Sequence, residues 1–155
     1  MGETLTFRAW RAVQGKPLGK VLFSAAAMVR VPYFRTVLPF VREMGPGRAV
    51  VSAPKWWGVH NHIGTFHAIA VCNMAEIAMG MLAEATVPTS HRWIPKGMSV
   101  EYTAKARTGL VATAEVVVPE FGGDAFELPV PVSIRDTGGT EVARAVITVW
   151  VTPAA

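Results

Sequence analysis

The chain has 155 residues, 51% of them hydrophobic. That suits one domain with a core large enough to need no disulfide or structural metal. A single cysteine, Cys72, excludes an intrachain disulfide framework and fits a reduced, cytoplasmic compartment. The formal charge of +4 is uneven: residues 1–50 carry eight Lys/Arg against two Glu, and residues 51–155 carry seven against nine acids. The basic first third suits an anionic surface or a solvated face, but its charge is too sparse to favour nucleic acid as a partner.

In chain order, residues 4–13 and 17–30 read as two short helices, broken at Gly15-Lys16-Pro17 and closed by Pro32. Leu18, Val21, Leu22, Ala25 and Val29 fall on one helical stripe, which predicts an amphipathic helix docked on the domain by that stripe. Basic residues ahead of an apolar run are also a feature of signal peptides. Here Ser24 and Arg30 interrupt the run and no cleavage site follows. Residues 36–44 and 48–56 read as extended segments around the turn Gly45-Pro46-Gly47. A loop covers 58–64, and a long apolar helix is predicted from Thr65, as N-cap, to Ala85, ended by Pro88. This helix is interrupted by Asn73 and Glu76, so no segment reaches the roughly 18 uninterrupted apolar residues of a membrane span.

Strands follow. Met98, Val100, Tyr102, Ala104 and Ala106 alternate with polar residues, a period of two that predicts a half-buried strand with these five facing inward. Leu110–Val118 is the next strand. Residues 125–135 form another, which Pro129 and Pro131 place at an edge or kink. Asp136-Thr137-Gly138-Gly139 is a hairpin turn into a last strand over 141–152. The order predicts an α+β fold, an antiparallel sheet around one helix that is apolar on nearly every face. Residues 1–35 are expected as an N-terminal helical segment and 36–155 as the main domain.

The chemistry concentrates at Asn61-His62-Ile63-Gly64-Thr65-Phe66-His67 and at Glu76, the only formal charge between Ile63 and Ala83. A carboxylate on so apolar a helix is expected to be buried, and a buried carboxylate must be paired, protonated or functional. The N–H of Ala68 lies near the positive end of the helix, where negative charge is favoured. If His67 and Glu76 both lie on the helix, nine residues (76 − 67) at ~100° each place them about half a turn apart. They would then serve one pocket only across two subunits. His60, His62 and His67 lack a carboxylate or cysteine at ligand spacing, so no metal is expected. Nor is a phosphate-binding loop present. Trp56, Trp57 and Trp93 read as core or pocket wall. Met74, Ile77 and Met81 are core positions at helical spacing that could also line an apolar pocket.

This order of elements, with the polar cluster before the helix, resembles the hotdog fold, most closely the PaaI-like acyl-CoA thioesterases. The family pattern is Asn-x-x-Gly-Thr-x-His-Gly-Gly, with an acid nine residues after the histidine. Asn61, Gly64, Thr65, His67 and Glu76 occupy the matching places, and Met98 to Ala106 is similar to the strand after the family's helix. The resemblance covers about residues 36–152 and departs where Ala68-Ile69 replaces Gly-Gly. It implies a cofactor-free hydrolase of acyl-CoA or another acyl thioester. Glu76 would be base or nucleophile, Ala68 N–H the oxyanion donor, Asn61 a positioning residue and His67 an orienting one, with Gly64 and Thr65 shaping the substrate site. It also implies a homodimer with shared sites, or a tetramer of such dimers. Arg92 and Lys96 are candidates for the anionic end of coenzyme A, with Lys105 and Arg107 beside them. A solvated strand edge is the plainer reading of each. Two other functions fit the fold class: a non-catalytic acyl-binding module, and a hydratase or dehydratase, whose Pro/Gly-rich spacer is missing here.

Overall fold

The computed structural model describes residues 2–154. Helix α1 spans Leu5–Val13 and α2 spans Gly19–Arg30, followed by a 3-10 turn at Pro32–Thr36. Thr4 caps α1, its hydroxyl accepting the Phe7 N–H at 3.1 Å and donating to the Glu84 carbonyl at 2.7 Å. One side chain thus satisfies an orphan helix donor and ties α1 to the main domain. Phe7 and Trp10 are buried from α1 and Phe23 from α2, with the Trp10 and Phe23 rings edge to face at 5.1 Å. The helices meet tightly: a Cβ on Gly19 would lie 1.7 Å from the Val13 carbonyl oxygen, so only glycine makes this corner.

The orientation of α2 overturns the expected docking face. Leu18, Leu22 and Val29 are 73%, 64% and 78% exposed, and Val21 and Ala25 are exposed as well. The inward side is Lys20, Phe23, Ser24 and Ala27. Ser24 Oγ donates to the Lys20 carbonyl at 2.8 Å and accepts the buried Val41 N–H at 2.9 Å. A bond to a strand, plus one large aromatic, fixes the helix rotation against its aliphatic stripe.

Strands β1 (Phe40–Gly45) and β2 (Arg48–Ala53) form a hairpin. A 3-10 turn at Trp57–Val59 and a loop lead into α3 (Ala68–Thr86). Then come β3 (His91–Tyr102), β4 (Leu110–Glu115), β5 (Phe126–Asp136) and β6 (Glu141–Pro153). All six form one antiparallel sheet in the order β1-β2-β4-β5-β6-β3. Helix α3 touches every strand, so the sheet wraps around it. Met74, Ile77, Met79 and Leu82 have no exposed surface and form the centre of the core with Leu110, Val130, Ile134 and Val149. By length and composition α3 could cross a membrane, but in this fold it is the helix inside the sheet. Met74 and Ile77 are therefore core residues rather than pocket wall.

Two strand readings change. β3 starts at His91 and ends at Tyr102, so Ala104 and Ala106 lie beyond it. Met98 is 38% exposed and Tyr102 50%, because β3 is an edge with β6 as its sole neighbour. Its register slips between Pro95 and Gly97, where proline has no N–H for the ladder. β5 lies inside the sheet, yet β4 pairs only with Val132–Asp136 of it, leaving Pro129 and Pro131 with β6 alone. Locally the prolines do sit on an edge.

Candidate active site

The loop before α3 is built around Asn61. Its Oδ1 accepts the N–H groups of Ile63 (3.1 Å) and Thr65 (3.0 Å), and its Nδ2 donates to Thr65 Oγ1 (2.8 Å). The backbone adds Asn61 N–H to the Thr65 carbonyl (2.9 Å) and Gly64 N–H to the Asn61 carbonyl (3.0 Å). Gly64 turns the chain at φ +76°, a region L side chains rarely adopt. The loop is fastened at its far end: Phe66 N–H reaches the Ala106 carbonyl, in the segment after β3, at 2.8 Å, and His67 N–H the Val59 carbonyl, in the preceding 3-10 turn, at 2.7 Å. Asn61 is thus first a loop-former. One of its two Nδ2 hydrogens stays uncommitted among the described residues.

Thr65 is not the cap of α3. Its hydroxyl is taken by Asn61, and the helix begins three residues later, with His67 as N-cap. His67 Nδ1 accepts the Ile69 N–H at 3.1 Å, which fixes the ring over the helix start and requires the proton on Nε2 in the neutral ring. Because His67 stands outside the helix, the half-turn geometry expected for two helical residues does not apply to it. Val71 N–H bonds to the His67 carbonyl at 3.0 Å. Among the described residues the N–H of Ala68, at the first helical position, has no protein partner. An unpaired donor at the positive end of a 19-residue helix is suited to a developing negative charge.

The carbonyl of Ala68 is held as well. Tyr102 Oη, at the end of β3, donates to it at 3.1 Å and stands 3.2 Å from Cys72 Sγ. Half of Tyr102 is exposed, but its hydroxyl turns in onto α3. Burial first, and then the neighbouring thiol, push the phenol up from 10.0 to about 12, so it remains a donor at any physiological pH. Tyr102 is visible in the sequence only as a strand residue, and no local pattern points to its contact with α3, 34 residues away.

Glu76 departs most from expectation. It is exposed in the single chain, on the one face of α3 that the sheet leaves open, in line with Ile69 (57% exposed), half-buried Cys72 and half-buried Gly80. Ala68 and Glu76 are eight residues apart, a rise of about 12 Å along one helix. Asn73, one position off this stripe, is buried and donates to Thr36 Oγ1 at 3.0 Å, joining α3 to the N-terminal segment. Arg92 and Lys96 lie on the β3 edge, away from the loop in sequence. Lys96 is ion-paired with Glu127 and lies 5.0 Å over the Trp150 ring, while Arg92 is exposed. Trp57 is 83% exposed and no part of the core. Trp56 packs on Gly58, and Trp93 is a wall residue whose Nε1 donates to Glu84 Oε1 at 3.3 Å. Among the described residues no three His, Cys, Asp or Glu side chains gather as a metal site.

A family described as "Domain of unknown function (DUF4442)" matches residues 19–151. A crystal structure of a genomics target is 40% identical to this chain, covering 96% of it and 98% of its own length, with a TM-score of 0.82. A thioesterase family protein from Silicibacter pomeroyi is 18% identical, covers 84% of this chain and 96% of its own, and has a TM-score of 0.71. A thioesterase from Haemophilus influenzae, 11% identical, covers 78% and 82% with a TM-score of 0.68. No curated protein shows detectable similarity. With the wrapped helix, the strand order and the loop before α3 in place, the chain belongs to the DUF4442 family, which carries the hotdog fold of the thioesterases.

Proposed function

We propose that this protein hydrolyses acyl thioesters, with acyl-CoA as the substrate class, at a site shared between two subunits. The observation that carries this reading is the Ala68 N–H at the start of α3, unpartnered among the described residues, together with an exposed Glu76 too far along the same helix to meet it. In a dimer with antiparallel α3 helices, Glu76 of one subunit faces the loop of the other. Glu76 accepts a proton from water as the water oxygen bonds to the thioester carbon. The carbonyl oxygen becomes an oxyanion and accepts the Ala68 N–H. The C–S bond then breaks, and the thiolate leaves and takes up the proton. The free Nδ2 hydrogen of Asn61 orients the carbonyl or the water. His67 keeps the helix start fixed, while Gly64 and Thr65 set the loop shape. Arg92, exposed on the β3 edge, is offered to the phosphates of coenzyme A; Lys96 reaches them only by leaving Glu127.

Thiol release from acyl-CoAs of graded length tests this. Wild type is expected to turn over at least one, and Glu76→Gln to fall by about 100-fold or more. Equal mixtures of Glu76→Gln and Asn61→Ala, unfolded and refolded together, should recover about a quarter of wild-type activity, since half the dimers then hold one intact site. Failure of complementation removes the shared site. The absence of turnover on any thioester favours an acyl-binding protein without catalysis. Ile69 supports that second reading, because it places an apolar side chain, 57% exposed, over the helix start where the thioesterase pattern has glycine.

A further inference from the structure

An apolar cavity lies where the N-terminal segment meets α3, beside the Glu76 stripe. Its volume is about 210 Å³, and it is lined by Ala27, Val31, Phe34, Gly80, Met81 and Trp93. Its charged lining is one Arg30 and one Glu84, which cancel, and Glu84 is engaged by the Trp93 indole. Gly80 forms the floor. It stands one helical turn past Glu76 on the same face of α3, about 6 Å along the axis. Nothing in the subunit requires glycine there: the backbone is helical, and an added Cβ would have only the edge of the Trp93 ring within 4 Å, at 3.8 Å. Glycine is a poor helix former, so its effect at this point is to leave space.

Resting on the acyl thioester reading above, we infer that this cavity receives the apolar tail of the acyl group, and that the N-terminal segment sets its length. The far wall, Ala27, Val31 and Phe34, comes from α2 and the turn after it rather than from the sheet. With the thioester carbon at Glu76, the tail runs along α3 over Gly80 and ends against that wall. A cavity of about 150 Å³ holds benzene, so about 210 Å³ accommodates an uncharged tail of roughly eight carbons.

The test uses the full-length protein and non-hydrolysable thioether analogues of acyl-CoA with tails of about four, eight and twelve carbons, bracketing that volume. Binding is measured by calorimetry, and hydrolysis of the matching thioesters is followed in parallel. Gly80→Leu fills the floor, and Ala27→Leu fills the opposite wall, so the second variant carries the test if the first fails to fold. Each buried methylene is worth about fourfold in affinity, so losing room for three or four predicts a fall of about 100-fold for the eight-carbon analogue. The four-carbon analogue should change by less than about threefold, under one methylene's worth. An equal loss at all lengths, or none, overturns the inference. Length-selective binding without turnover leaves the pocket standing and removes the hydrolase; turnover with an unaltered length profile does the reverse.

Discussion

Helices α2 and α3 are both rich in alanine and aliphatic residues, but they use those residues oppositely. In α3 the sheet takes nearly every side, and the one stripe left open carries Glu76. In α2 the aliphatic stripe faces out, and the helix is held by Phe23, Ser24 and its corner with α1. Hydrophobic periodicity identifies a helical face without saying what it meets. For α3 the apolar surface was too broad to be satisfied anywhere but inside the sheet. For α2 two faces competed, and a serine bonded to a strand N–H, together with a phenylalanine, outweighed four aliphatics.

The comparison can be broken by substitution. Ile77→Ala, in the centre of α3, should destabilise the fold by about 2–5 kcal/mol in chemical denaturation. Ser24→Ala leaves the Val41 N–H buried without its acceptor and should cost about 1–3 kcal/mol, more than expected of an exposed serine. A smaller effect is pH-dependent. Because Tyr102 is raised in the folded chain, its contribution to stability is complete below pH 10.0 and is lost as pH rises through about 12. Tyr102→Phe should flatten that alkaline decline, and a profile unchanged by the variant would count against a phenol raised by burial and Cys72. Leu22→Ser, on the outward stripe, should change stability by less than about 0.5 kcal/mol at both low and high protein concentration. A loss above about 1 kcal/mol that grows with concentration would mean that a second copy covers the stripe, and that α2 resembles α3 after all.

Much of this was legible in the residues. The positions of both N-terminal helices, the hairpin at Gly45-Pro46-Gly47, the long helix and four later strands follow from turn residues and periodicity. The polar motif Asn61–His67 marks the loop that enters α3. What could not be read depends on which partner each group meets once the chain has folded. Thr65 looked like a cap because caps are short hydroxyl residues, but Asn61 had already claimed it, and a histidine served instead. Glu76 looked buried because its sequence neighbours are apolar, yet it occupies the single face that the sheet leaves uncovered. The alternation in Met98 to Ala106 suggested a half-buried strand; an edge position with a break at Pro95 exposes it instead. The wall that α2 and its following turn build against Trp93 joins residues some 60 positions apart, and no local pattern announces it.

The five hydrogen bonds that Asn61 makes or receives within its own loop have a consequence for the thermodynamics of recognition. Ordering a loop residue costs about 1–2 kcal/mol in conformational entropy. Between Asn61 and His67 that cost is met when the chain folds, not when a ligand arrives. A ligand reaching this end of α3 would find its donors already aimed, so little of its binding free energy would be consumed in ordering the protein. The corresponding signature is calorimetric: a smaller entropic penalty than a mobile loop would impose, and one that Asn61→Ala should enlarge.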